Sequence, residues 1–199
     1  MSTSLSNSVQ WGQHSHKARG NDLYETPPCA TRTLMRHLPH PEQLGPIWEP
    51  ACGPGAIVKE LRDKGYEVHA TDLVDYGLEN SQGGVDFLME TTAPAGCGAI
   101  ITNPPFKLAD PFVRHALKMV SHVWVLQRLA YLEGAKRSDL MDGHLTRILV
   151  GKERLPMMHR DGWEGAKMKN SGMPYAWFHF DRFKAGRSAC LERVSWREE

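Results

Sequence analysis

The chain has 199 residues, the length of one domain with modest extensions. Its 41% hydrophobic content supports a packed core and excludes a disordered chain, while a net charge of +1 means that any nucleic-acid surface must be a local patch. No apolar run approaches the ~18–20 residues that span a bilayer, and the first residues carry no basic-then-apolar leader pattern, so a cytoplasmic protein without membrane contact is expected. The four cysteines (29, 52, 97 and 190) form no Cys-x-x-Cys pair and fit reduced thiols. The histidines show no ligand spacing, so no metal site is expected.

Residues 1–21, rich in Ser, Asn, Gln and Gly, are expected to form a flexible arm ahead of a single domain over 22–199. Tyr24-Glu25-Thr26-Pro27-Pro28 has the chemistry of a helix start, with Thr26 as N-cap and Pro27 at the first helical position. Ala30, Leu34, Met35 and Leu38 recur at helical spacing, so the helix runs from Cys29 to Leu38.

Ile47-Trp48-Glu49-Pro50-Ala51-Cys52-Gly53-Pro54-Gly55-Ala56 reads as a short strand running into a loop of small residues. A helix over 56–63 follows, and Tyr66 to Thr71 resumes as a strand with Asp72 at its end. Asp72 comes 17 residues after Gly55, near the ~20 of a nucleotide-binding strand–helix–strand unit. Glycine lets a ligand approach the backbone closely, and the carboxylate can accept hydrogen bonds from a ribose diol. The alternative is a tight turn with an exposed Asp beyond it. The Gly-x-Gly-x-x-Gly dinucleotide pattern is not met, and no Lys-Ser/Thr follows the glycines, which excludes a phosphate-cradling loop. Glu49 ahead of the loop disfavours a polyphosphate and suits a cationic or amine-bearing cofactor.

Gly84 to Met89 is a further short segment. Ala99-Ile100-Ile101-Thr102 is then an apolar strand that stops at Asn103-Pro104-Pro105-Phe106, because proline has no N–H for the ladder and restricts the residue before it. Asn103 therefore sits at the carboxyl end of a strand, where open α/β sheets bind ligands. An amide, a fixed carbonyl and an adjacent ring make a seat for a flat molecule bearing an –NH2 group; an Asn-Pro turn that merely ends a strand is the other reading.

A helix over 110–120 has Phe112, Val113, Ala116, Leu117 and Val120 on its apolar side. A strand over 123–126, a charged helix over 133–142 and strands over 147–150 and 175–180 complete the pattern. The connection over 156–174 holds Arg160, Lys167 and Lys169 with Trp163. Cations interleaved with an aromatic either grip a nucleic-acid backbone or form a solvated loop. Alternating strands and helices predict one mostly parallel α/β sheet closed by a β-hairpin.

With Glu49-Pro50-Ala51-Cys52-Gly53-Pro54-Gly55 followed by Asn103-Pro104-Pro105-Phe106, the chain resembles the class I S-adenosylmethionine-dependent amino-methyltransferases, and among them the adenine-N6 DNA methyltransferases of phage and prophage type. The resemblance covers most of residues 20–185. It implies a single Rossmann-like domain, a seven-stranded sheet, S-adenosylmethionine as cofactor and a nucleic acid as substrate, DNA first and RNA second. It assigns the cofactor's methionine part to Tyr24, Thr26 and the loop Glu49, Pro50, Ala51, Cys52, Gly53 and Gly55. Asp72, with Leu73 beside it, takes the ribose, and Asp86 and Phe87 flank the adenine. Asn103, Pro104, Pro105 and Phe106 form the catalytic motif.

Two departures stand out. Ala51 occupies the place of the loop's usual first glycine, and only 93 residues follow Phe106, little room for a separate target-recognition domain. RNA, single-stranded DNA or partner-supplied specificity therefore stay open. Protein-glutamine methylation uses a similar seat, though its enzymes usually carry Tyr in place of Phe106. A cofactor-binding module with an unused catalytic face is the non-enzymatic alternative.

Overall fold

A computed structural model describes residues 23–156, 172–184 and 188–197. Helix α1 (Pro28–Met35) and the one-turn α2 (Pro41–Leu44) precede strand β1 (Ile47–Glu49). Then come α3 (Ala56–Asp63), β2 (Val68–Thr71), β3 (Ser81–Gln82), β4 (Ala99–Thr102), α4 (Ala109–Met119) and β5 (His122–Arg128). The chain continues with α5 (Ser138–His144), β6 (Leu145–Gly151), β7 (Tyr175–Asp181) and β8 (Cys190–Val194).

The strands form one sheet in the order β3-β2-β1-β4-β5-β7-β6-β8. Only β7 runs antiparallel to its neighbours, and with β6 it makes the expected hairpin. The sheet has eight strands where seven were expected. The additional strand, β8, pairs parallel with the outer side of β6. Its alternation is blurred because Cys190, Leu191 and Arg193 are exposed on an edge, so period-2 patterning gave no signal there.

Side-chain alternation builds a core on each face of the sheet. Along β5, Trp124 and Leu126 join Trp177, Leu149 and the α1 and α3 side chains Leu34, Val58 and Leu61. Val123 and Val125 point the other way, onto Phe178, Phe180 and the α4 side chains Val113 and Ala116. Trp177 Nε1 donates to the Ala30 carbonyl at 2.9 Å, fastening α1 to the sheet. No helix among the described residues is long and apolar enough to cross a membrane, and Cys29, Cys52, Cys97 and Cys190 are free thiols.

Several local expectations are corrected. Thr26 is not the N-cap of α1: Pro27 occupies that position, Pro28 opens the helix, and α1 ends at Met35 instead of Leu38. The segment over 84–89 is a 3-10 turn at Phe87–Met89, and the strand of that region is β3, a few residues earlier. The charged helix begins at Ser138, after 3-10 turns over Leu129–Leu132 and Ala135–Arg137.

Candidate active site

Strand order reverses at β1, which lies between β2 and β4. The chain leaves β1 and β4 on opposite faces, so a crevice opens beyond their carboxyl ends. The crevice is a cavity of about 430 Å³, within the usual range for a small-molecule site. Tyr24, Thr26, Glu49, Pro50, Ala51, Cys52, Gly53, Asp72, Leu73, Asp86, Phe87, Asn103 and Pro105 all line it. Residues separated by up to 81 positions in sequence thus meet at one place.

The loop after β1 is held by its own backbone. Gly53 and Gly55 have φ of +50° and +92°, a region that side chains disfavour. A Cβ on Gly55 would lie 2.6 Å from Leu78 Cδ1. Gly55 is not part of the cavity wall; it shapes the loop and caps α3. Asp72 fixes the loop to β2, its Oδ2 accepting from Gly53 N–H and its Oδ1 from Val74 N–H, each at 2.9 Å. A carboxylate oxygen has two lone-pair sites, so each keeps one for a ligand.

Glu49 is fully buried. Its Oε1 accepts from Ala51 N–H at 3.2 Å, while Oε2 has no partner among the described residues. Burial raises its pKa to about 8; the Thr102 hydroxyl and Ala51 N–H oppose that rise, and the Asp72 charge adds to it. A buried carboxyl with an orphaned oxygen on a cavity wall fits a positively charged ligand group. Cys52 is no nucleophile here: burial, then the Glu49 and Asp72 charges, push its thiol up to about 12.

Asn103 closes the other side. Its Nδ2 donates to the Tyr24 carbonyl at 3.0 Å and to Thr26 Oγ1 at 3.1 Å. Both amide hydrogens are engaged, so Oδ1 is the side-chain atom left to accept a hydrogen bond. Pro104 is buried, and its carbonyl accepts a long, 3.5 Å hydrogen bond from Gln127 Nε2. Phe106 lies beside the cavity, in a cluster with Tyr24 (centroids 5.3 Å apart) and Tyr175 (6.0 Å). The Arg128 guanidinium sits 4.7 Å above its ring centroid. The Phe87 ring packs against Trp48 and against Phe112, which is also on the cavity wall. Asp86 is held by accepting from Leu88 N–H.

The sequence reading did not single out Gln127, Arg128 or Tyr175. A signal existed: parallel pairing places Thr102 opposite Val125, so Gln127, two residues on, falls level with Pro104. A polar residue ending an apolar strand beside the Asn-Pro-Pro turn marks that position. Arg160, Trp163, Lys167 and Lys169 lie outside the described residues. No group of three or more metal-ligating side chains occurs among the described residues.

No protein-family model matches the chain, and no curated protein matches it in sequence. Solved structures match it in fold. One is a modification subunit assigned to a type I restriction enzyme of Vibrio vulnificus YJ016, with TM-score 0.58 and 14% identity over 89% of this chain. This chain spans about half of that protein's length, 48%. A Pyrococcus horikoshii protein assigned as an RNA methyltransferase gives 0.58 at 17% identity, over 79% of this chain and 86% of that one. A Lactococcus lactis protein assigned as a hemolysin gives 0.59 at 10% identity, over 83% and 91%. The chain has the fold of the class I methyltransferases. At such identities the likeness is one of architecture, and function has to be argued from the site.

Proposed function

We propose that the protein is an S-adenosylmethionine-dependent methyltransferase acting on an exocyclic amine, N6 of adenine in a nucleic acid, with DNA as the first candidate. The observation that carries this reading is the orientation of Asn103. Its two N–H groups are held by Tyr24 and Thr26, so its oxygen is the atom offered to a substrate amine.

The residues present fit the cofactor. Glu49, with its unpartnered buried oxygen, matches a cationic group, the glycine loop admits close approach, and Asp72 keeps lone pairs for a diol. When bound, the cofactor supplies an activated methyl group on a sulfonium, so no metal or covalent enzyme intermediate is needed. The chain's own residues then act on the amine. Asn103 Oδ1 and the free lone pair of the Pro104 carbonyl accept its two hydrogens, drawing the nitrogen toward tetrahedral geometry and releasing a lone pair otherwise delocalised into the ring. This stabilisation grows toward the transition state, where it lowers the barrier. Phe106 offers a ring on which a base turned out of its stack can rest. Gln127 holds the Pro104 carbonyl in place.

The test uses tritiated S-adenosylmethionine with duplex DNA, single-stranded DNA, RNA and a protein lysate. Label should enter nucleic acid as N6-methyladenine, and Asn103→Ala should abolish it while cofactor affinity by calorimetry stays within a few-fold. Label in adenine of RNA or in glutamine of protein would redirect the substrate. Cofactor binding without transfer to any polymer would favour a non-catalytic module, and an Asn103→Ala variant that still turns over would refute the residue's role.

A further inference from the structure

The carboxyl end of β5 carries an exposed arginine whose side chain is spent on an aromatic ring. The Arg128 side chain makes no hydrogen bond or ion pair among the described residues; its guanidinium lies 4.7 Å above the centroid of Phe106. Arg32, Arg114 and Arg147, by contrast, are paired with Glu60, Asp139 and Glu192. Among the described residues no carboxylate pairs with this positive charge beside Phe106. Lys107, exposed and next in sequence to Phe106, lies on the cavity wall. The acidic side chains Glu49, Asp72 and Asp86 lie on the cavity wall itself. The Asp72 and Asp86 carboxylates and the Lys107 ammonium thus share one crevice, with the Arg128 guanidinium over the Phe106 ring beside it.

The ring that Arg128 covers is the one against which a planar substrate would stack. Its other neighbours are more buried. Tyr175 is buried and paired within the sheet, and Tyr24 holds Asn103 through its carbonyl. Arg128 is the most exposed member, and a long side chain with no polar partner among the described residues loses only the ring contact on swinging away.

We infer that Arg128 is a placeholder for the target base and a phosphate ligand of the strand that delivers it. An unstacked base displaces the guanidinium from Phe106, and the guanidinium passes to a phosphodiester flanking that base. The inference rests on the methyl-transfer reading of the same site and deepens it, naming a phosphodiester polymer as substrate in place of a protein amide, which carries no flanking anion for Arg128. Arg128 is a positioning residue, acting on the strand and not on the transferred methyl.

The experiment measures binding of fluorescein-labelled, adenine-containing single strands of DNA and RNA by anisotropy across a salt series, with S-adenosylhomocysteine present. It compares the wild type with Arg128→Ala, Arg128→Lys and the remote Arg182→Ala. Arg128→Ala should weaken binding about tenfold and reduce the salt slope by about 0.7, the value for one phosphate contact on a single strand. Arg128→Lys should keep the slope, and Arg182→Ala should behave as wild type. An unchanged affinity and slope in Arg128→Ala would overturn the inference, as would wild-type protein that binds neither strand. Calorimetry of the wild type with S-adenosylhomocysteine separates the two readings: strand binding that depends on Arg128 without cofactor binding sinks the methyl-transfer reading, and cofactor binding without strand binding sinks this one.

Discussion

Asn103 Nδ2 and Thr26 Oγ1 are hydrogen-bonded at 3.1 Å across 77 positions of sequence. The bond joins the segment before α1 to the end of β4, and it sets which atom of the amide faces the crevice. An amide free to rotate would turn its –NH2 to the crevice half the time, and on the methyl-transfer reading proposed above that group repels the substrate amine.

Thr26→Val keeps the shape and removes the acceptor. One amide hydrogen loses its partner at a cost of about 1 kcal/mol, so methyl transfer should fall roughly five- to tenfold. Cofactor affinity, measured by calorimetry, should stay close to wild type. A variant with full kcat would show that the Tyr24 carbonyl alone orients the amide.

Glu49 predicts an unusual pH response. Its pKa is raised to about 8 in the fold, against an ordinary carboxylate value when unfolded. Between about pH 4.5 and pH 8 the native state binds more protons than the unfolded state, so this residue's contribution to stability falls as pH rises through that window. Glu49→Gln should flatten the fall, with the gain over wild type greatest near pH 8. Thermal melting of both proteins from pH 5 to pH 9 provides the comparison.

His179 acts in the opposite sense. Burial, then the neighbouring His122 charge, lowers its pKa to about 4, with Asp181 opposing and Arg147 assisting. Its ring stacks on Trp124 at 4.3 Å. The unfolded chain takes up the proton first, so stability drops as pH falls from about 6.5 to 4. His179→Phe should melt at a temperature less dependent on pH across that window. It also loses the hydrogen bond to Thr146, so its melting point at pH 7 should lie below wild type.

Gly151 has no room for a side chain. A Cβ there would lie 1.8 Å from Trp196 Nε1, and that indole is buried, donating to the Glu153 carbonyl at 3.0 Å. Gly151→Ala should cost about 1–3 kcal/mol by overpacking, read from urea unfolding. In a Trp196→Ala background the loss should shrink without vanishing, because the Glu153 carbonyl would still lie 2.7 Å from that Cβ. Additive losses would mean that the strain lies elsewhere.

Local chemistry made half of this site legible. The Asn-Pro-Pro turn, the glycine loop and the acid after β2 each carry their signal within a few residues, and the parallel sheet then brings them together. Thr26 was misread because a hydroxyl before two prolines has the local form of a helix cap, whereas its partner, Asn103, follows β4 far along the chain. Gln127 and Arg128 carry no motif; their roles come from register with β4, which exists only once the strands are paired. Strand β8 was hidden for a related reason, since an edge strand with one covered residue in two or three leaves no clean alternation.

The reversed direction of β7 decides where this architecture can grow. Because β7 runs against both β5 and β6, the chain departs at Gly151 and comes back at Tyr175, directly across from Arg128. Both anchor points of that excursion thus stand on the rim that presents Asn103. Whatever sequence joins them is leashed at either end to the doorway of the crevice, so it can be rewritten while the two buried layers beneath go untouched.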